Sequence, residues 1–442
     1  MSAAETWSMY VAGDVVSRTD VEDSPIAPML TGRIGGADLS VANLEAPVRT
    51  DASPIEKSGP TMEQSRTVPG MLGRTGFDAV TLANNHLMDY GEAGLAATTA
   101  ACREAGLDTV GAGETHGNAL SPLVRSVGDV EVAVFSVCER EFGVAERDRP
   151  GTAWRDHPDV DGRISAAADR YDVVVVVSHG GVEEVPIPPP QRRARFCEFV
   201  DLGADAVVGH HPHVAQGWET YDGCPLFYSL GNFYFEQTNP STRWGLTVEL
   251  RFDGDRPVEA ELVPVELVDG TLHELGTERS RADRLAHLHR LAEITNGPLL
   301  RAYWQEVAER VFLARLGPAV QHSTGGSVLS LLRSPTRLLR KDGTWDADRR
   351  RREMLVLLNV TRNESLRSVL RTALEVRAGD VTDRRTPEIR AEARELLERT
   401  AEEPMYGRPH EARSLFEALL GRLRREGRGS VDAVRTRLPS IR

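Results

Sequence analysis

The sequence predicts an α/β domain followed by an all-helical region, and three observations carry that reading. Over the first 270 residues, short valine-rich bursts alternate with helix-like segments. From about residue 275 the apolar residues fall at helical spacing alone. Directly behind the bursts stand Asp, Asn, Glu and His, at the strand ends where open α/β sheets bind ligands.

The bursts are "MYVAGDVV", "DLSVANLE", "DAVTLANNH", "VEVAVFSVC", "YDVVVVVSHGG", "ADAVVGHHPH", "PLFYSLGNF", "GLTVELRF" and "VEAELVPVELV". Each is short and bounded by Gly, Asp or Asn, which predicts strands. A continuous run such as "VVVVV" fits a strand covered on both faces. "EAGLAATTAACREAG" and "QRRARFCEFVDLG" between them predict helices, each closed by glycine. The last bursts lack intervening helices and predict added antiparallel strands. Beyond residue 275, "RADRLAHLHRLAEI", "RAYWQEVAERVFLARL", "RRREMLVLLNV", "ESLRSVLRTALEV", "PEIRAEARELLERTA" and "EARSLFEALLGRLRRE" predict helices, with "RKDGTWDADRR" as a polar connection. The expected organisation is therefore residues 1–270 as one domain and 275–442 as a separate, arginine-rich helical region.

At 442 residues the chain exceeds one ordinary core, in keeping with two units. No run approaches the length of a transmembrane helix, and the start lacks the basic end and apolar stretch of a signal peptide, so the expected location is cytoplasmic. Cys102, Cys138, Cys197 and Cys224 are widely spread with no C-x-x-C pair, which predicts reduced thiols. Charge is asymmetric: residues 271–442 hold 33 Lys+Arg against 24 Asp+Glu, and the first 270 hold 20 against 42. An acidic front repels a long polyanion except where cations neutralise it. In the basic helices acidic residues are interleaved and aromatics few, which favours a salt-bridged solvated face over a nucleic-acid surface. Lys57 and Lys341 are the only lysines.

Six bursts deliver polar groups to what can be one rim: Asp14; Asn43 and Glu45; Asn84, Asn85, His86 and Asp89; His179 and Glu183; His210, His211 and His213; and Asn232. The "HHPH" cluster is the sharpest, because crowded imidazoles repel or desolvate one another unless something binds them. Pro212 disfavours a helical conformation at His211, so the piece is expected to be extended, with His211 and His213 facing one side and His210 pointing elsewhere. Imidazoles beside carboxylates form a mixed nitrogen–oxygen site that suits Mn, Fe, Zn or Co better than Ca or Mg.

In this order and spacing, "GD", "NLE", "ANNHLMDYG", "SHGGVEE", "GHHPHV" and "YSLGNF" resemble the CapA family of poly-γ-glutamate capsule biosynthesis, within the calcineurin-like metallophosphoesterases. The resemblance covers roughly residues 8–268. It implies a four-layer α/β/β/α sandwich around two divalent metal ions. By that resemblance Asp14 and His213 would bind one metal, Asn85, His179 and His211 the other, and Glu45 would bridge them. His86 would face the substrate as general acid or charge stabiliser. Asn43, Asp89, Glu183, His210 and Asn232 would support the ligands or touch substrate. The chain departs from the family's His-Trp-Gly pattern by placing Gly180 where tryptophan is usual, and the helical region lies outside the motifs.

The function expected from this set is metal-dependent hydrolysis of a phosphoester or a γ-glutamyl amide, linked to capsule-type polymer metabolism. The alternative is a non-catalytic, metal-binding accessory subunit of a polymer-synthesis complex. Neither reading calls for nucleic acid or for a membrane segment.

Overall fold

The structure is a computed structural model that describes residues 6–21, 25–236, 239–317, 320 and 347–400. Its strands are β1 (Thr6–Val16), β2 (Leu39–Leu44), β3 (Ala79–Thr81), β4 (Asp108–Val110), β5 (Ala112–Gly113), β6 (Leu123–Val127), β7 (Val130–Cys138) and β8 (Gly151–Thr152). They continue with β9 (Val173–His179), β10 (Ala206–His210), β11 (Trp218–Tyr221), β12 (Cys224–Phe227), β13 (Asn232–Phe235), β14 (Trp244–Asp253), β15 (Arg256–Val268) and β16 (Thr271–Glu274). One sheet runs β16-β15-β14-β1-β2-β3-β4, with β13 also on β1, and a second runs β11-β12-β10-β9-β7-β6. β1, β2, β3 and β4 are parallel, as are β7, β9, β10 and β12, while β14, β15 and β16 add the expected antiparallel edge.

The two sheets face each other across one apolar core, where Met9, Val11 and Val41 meet Val134, Val175, Val177 and Val208. The outer face of the first sheet is covered by Leu30, Ile34, Met71, Leu72 and Leu95 from helices Pro28–Gly36, Thr67–Thr75 and Gly91–Glu104. Ile164, Phe196 and Phe199 from helices Asp159–Ala168 and Pro190–Asp201 cover the second. This is the four-layer α/β/β/α arrangement. It explains why the "VVVVV" strand is apolar on both sides: core on one face, helices on the other.

Register in the parallel sheets is set by aspartates at the strand starts. Asp38, Asp78, Asp172 and Asp205 each accept a hydrogen bond from a backbone N–H on the neighbouring strand: Ser8 (2.8 Å), Ser40 (2.7 Å), Glu131 (2.8 Å) and Val174 (2.7 Å). Each aspartate also donates its own N–H to the carbonyl of that same residue. A one-residue slip would break both bonds and turn every side chain to the wrong face. The carboxylate of Asp78 also takes the Ser40 hydroxyl at 2.7 Å. Asp78→Ala is therefore expected to cost about 1–3 kcal/mol in urea unfolding, the range for hydrogen bonds lost from a partly buried carboxylate.

The helices Glu278–Asn296, Leu300–Val311, Ala347–Arg362, Glu364–Ala378 and Pro387–Glu398 follow, with a π-turn at Phe312–Leu316. Their buried Leu288, Leu291, Trp304, Val307, Val369 and Leu397 belong to the same apolar cluster as the inter-sheet core, so this region packs against the α/β layers. The arginines pair with interleaved acids, as in Arg310–Glu306, Arg377–Glu309 and Arg290–Glu392. Among the described residues no helix is long and apolar enough to cross a membrane. All four cysteines are free, Cys102 and Cys138 buried.

Two expectations change. "PLFYSLGNF" is two strands, β12 and β13, so Asn232 begins a strand beside β1 instead of ending one. The last four residues of "RKDGTWDADRR" open the helix Ala347–Arg362, the rest lying outside the described residues. "EARSLFEALLGRLRRE" also lies outside them.

Candidate metal centre

Each functional side chain is placed by a local reason. Gly13 precedes Asp14 because β13 presses on β1 there: a Cβ at Gly13 would lie 2.1 Å from the Gly231 carbonyl oxygen. β1 is irregular between Asp14 and Val15, and Asp14 pairs with Asn232. Asn43 lies near the end of β2, and Glu45 is the first residue beyond it. In "NNH" the Asn84 side chain accepts from the N–H groups of His86 (3.2 Å) and Leu87 (2.8 Å) and donates to the Leu44 carbonyl. Asn84 thus builds the turn that presents Asn85 and His86. His179 and His210 are the last residues of β9 and β10.

His211 and His213 are not extended. They take φ of 97° and 58°, left-handed values that a non-glycine residue rarely adopts. Their rings still converge, with centroids 6.0 Å apart, through a tight turn and not through strand alternation. His210 does not point elsewhere: its Nδ1 lies 3.3 Å from Asp14 Oδ1.

The side chains gather into two groups that share one carboxylate. Glu45, His179 and His211 form one, Asp14, Glu45 and His213 the other, with all ligating atoms of a group within 4.8 Å of one another and every residue buried. Glu45 Oε1 stands 3.6 Å from His179 Nε2 and 3.6 Å from His213 Nε2. His213 Nδ1 is 3.6 Å from Asp14 Oδ2, and His211 Nδ1 is 3.1 Å from His179 Nε2. Asn85 Oδ1 joins the first group at 3.0 Å from His179 Nε2. Metal–nitrogen and metal–oxygen bonds of about 2.0–2.2 Å put neighbouring ligand atoms about 3 to 3.5 Å apart, so the donors suit divalent ions. Both Glu45 oxygens are buried with no hydrogen-bond partner among the described residues, a costly arrangement that cations between the groups would satisfy.

The electrostatics agree. Burial pushes the Glu45 carboxyl well above its usual range, and the nearby Asp14 carboxylate adds to it. Burial also acts on Asp14, but contact with His210, the charge of His213 and a 2.7 Å hydrogen bond from Asn43 outweigh it and hold its pKa below 3.8. Burial and neighbouring imidazoles hold His179 far below 6.5, and burial brings His211 down to about 4. Neutral imidazoles are the form that binds metal.

His86 stands beside the centre with Nδ1 2.6 Å from Asp89 Oδ2, which makes Nε2 the ring nitrogen available to a substrate. Asn232 Oδ1 meets His213 Nδ1 at 2.9 Å. Glu183 is exposed and lines a cleft of about 360 Å³ with His213, Val16, Met62, Phe235 and Glu236, a size typical of small-molecule sites.

Sequence reasoning missed Lys57. Its side chain is 2% exposed, forms an ion pair with Asp89, and donates to the Asn85 carbonyl at 3.2 Å. The signal was available: 53 basic residues include only two lysines, and one is buried behind His86. A compact ammonium can serve Asp89 and a main-chain carbonyl at once where a planar guanidinium needs more room.

Residues 9–237 match the family model described as "Bacterial capsule synthesis protein PGA_cap". The chain is 32% identical over 270 residues to the capsule biosynthesis protein CapA of Bacillus anthracis, covering 58% of this chain and 64% of that protein. It is 34% identical over 198 residues to the PGA biosynthesis protein CapA of Bacillus subtilis (strain 168), covering 44% and 52%. It thus spans about half to two-thirds of the length of these curated relatives. Among solved structures it is similar to a novel phosphatase of Mycoplasma pneumoniae, at a TM-score of 0.41 and 12% identity, covering 60% of this chain and 94% of that one. With more than half of its residues matched, motifs included, the chain belongs to the bacterial capsule synthesis protein (PGA_cap) family.

Proposed function

We propose that the protein is a hydrolase dependent on two divalent metal ions, acting on a phosphoester or on a γ-glutamyl amide in capsule-polymer metabolism. The observation that carries this reading is the pair of ligand groups sharing Glu45, whose two buried oxygens have no hydrogen-bond partner among the described residues. Asp14 and His213 would hold one ion, Asn85, His179 and His211 the other, and Glu45 both. Mn, Fe or Zn fits so mixed a nitrogen–oxygen set. A bound pair supplies Lewis acidity toward the scissile group and lowers the pKa of water toward ~7.

The chain's own residues do the rest. In its protonated form His86 would pass a proton from Nε2 to the leaving oxygen or nitrogen, while Asp89 accepts from Nδ1 and supports the imidazolium. Lys57 holds Asp89 in place from behind. Asn43 and Asn232 orient Asp14 and His213. The cleft beside His213 suits a single small group, such as one chain end, better than a long polyanion passing through an acidic domain. The names of the Bacillus relatives support the polymer connection.

The test is hydrolysis of bis(p-nitrophenyl) phosphate and γ-glutamyl-p-nitroanilide by the full chain with Mn²⁺, after elemental analysis. Turnover of one substrate is expected, lost with chelator, restored by metal, and at background in His211→Ala. A folded protein that cannot be loaded with any of these metals would overturn the reading.

A further inference from the structure

The helical region reaches the rim of the metal centre at two places, and each contact lies one residue from a ligand. The first is the joint between helices Ala347–Arg362 and Glu364–Ala378. Ser365 donates its hydroxyl (2.7 Å) and its N–H (3.2 Å) to the buried Glu139 carboxylate. Around it, the Glu364 carboxylate accepts from the Arg140 N–H and from Trp154 Nε1, both at 2.8 Å, and Asn363 donates to Glu141 at 3.2 Å. Glu139 in turn donates its N–H to the His179 carbonyl at 2.9 Å. Its side chain fills the space beside Gly180, where an added Cβ would lie 2.4 Å from Glu139 Cγ. This is the physical reason for glycine where the resemblance leads one to expect tryptophan.

The second contact grips the loop after β9. Arg315 donates to the Glu184 carboxylate at 2.6 Å and to the Glu183 carbonyl at 3.0 Å, and the Thr400 hydroxyl donates to the Glu184 carbonyl at 2.7 Å. Glu184 has a φ of 60° and passes its own N–H to the Pro212 carbonyl at 2.8 Å, between His211 and His213. A Cβ on Gly181 would meet Pro212 Cγ at 2.9 Å, so loop and turn are pressed together. Two front-domain glutamates thus stand between the helices and the histidines: Glu139 toward His179, and Glu184 toward His211 and His213.

We propose that the helical region is a positioning clamp for the metal centre, with Ser365 acting through Glu139 on His179 and Arg315 acting through Glu184 on the His211–His213 turn. The proposal rests on the metal-centre reading and gives the region a role the family motifs do not contain. Hydrogen bonds that orient metal ligands carry about 10–100-fold in affinity, and ligands in strained left-handed backbone depend on what holds them there. Arg315 and Ser365 act through the glutamates Glu184 and Glu139, so their effect is on geometry.

The test uses the full chain and two readouts: Mn²⁺ titration by calorimetry, and amide hydrogen exchange across residues 139–142 and 181–185. Arg315→Met and Ser365→Ala are expected to weaken Mn²⁺ binding about tenfold and to speed exchange in their own loop. Arg315→Lys and Ser365→Thr restore both readouts, and Arg371→Ala, on the exposed side of the same helix, changes neither. Both variants binding Mn²⁺ and exchanging as the wild type does would overturn the clamp. If Ser365→Ala does not fold, Arg315→Met decides. A wild type that takes up no Mn²⁺ defeats the metal reading alone, and loop exchange still decides whether the helices hold the rim.

Discussion

Glu45→Gln is expected to remove metal-dependent hydrolysis and, at the same time, to make the metal-free protein more stable. Glutamine has the same shape but no charge, so it cannot serve as the shared carboxylate of both ligand groups. In the wild type the carboxyl is fully buried, both oxygens lack a hydrogen-bond partner among the described residues, and burial raises its pKa well above 4.5. A group with a higher pKa in the folded than in the unfolded state keeps its proton longer when folded. Its contribution is complete below the unfolded value near 4.5 and is lost as pH rises toward the folded value. The gain from glutamine should therefore be absent at pH 4 and grow above it. Metal reverses the comparison: an ion at a hundred times its Kd stabilises the wild type by about 2.7 kcal/mol, and the variant by none. Thermal unfolding with and without Mn²⁺ across pH 4–8 checks both halves. A variant that is still stabilised by Mn²⁺ would contradict the shared-carboxylate role.

Arg192→Met, in the helix Pro190–Asp201 that covers the second sheet, should cost about 3–5 kcal/mol. Arg192 is 1% exposed, and burial pulls its guanidinium down to about 9. One nitrogen, Nη2, donates to the Ser178 carbonyl at 2.9 Å, and lies 3.3 and 3.5 Å from those of Tyr228 and His210. Nη1 is 3.8 Å from the Glu139 carboxylate. Methionine keeps much of the volume against Phe196 but donates nothing, so the Ser178 and Tyr228 carbonyls lose a buried charged donor, while that of His210 keeps the Gly180 N–H at 3.0 Å. The Ser178 and His210 carbonyls sit at the ends of β9 and β10, beside His179 and His211, and that of Tyr228 directly follows β12, so Mn²⁺ affinity should fall with stability. Urea unfolding monitored by tryptophan fluorescence gives the number. A loss under about 1 kcal/mol would show that the strand ends do not depend on this cation.

Both predictions concern groups whose importance differs in legibility. Glu45 was readable because "NLE" puts it directly behind an apolar burst, and a strand end is a local property of the chain. Asn85, His179, His211 and His213 likewise close or follow a burst, whereas Asp14 lies inside β1, two residues before its end, and the structure brings all of them to one buried place. Arg192 falls within a predicted helix, and nothing in its neighbourhood announces that it caps strand ends contributed by residues 178, 210 and 228. Lys57 was visible as a rarity, but its partner Asp89 lies 32 residues away on another loop.

The sequence by itself determined the alternation of strands and helices, the aspartates that start the strands, and the identity of the donors behind them. These follow from hydrophobic period and from residues adjacent in the chain. Only the tertiary structure decided the left-handed turn that aims His211 and His213, the start of β13 at Asn232, and the grip of Ser365 and Arg315 on Glu139 and Glu184. The reason is physical: these arrangements join segments as much as 226 residues apart. They form only once two sheets and a helical layer bury a common core, and no local preference encodes which buried charge will meet which.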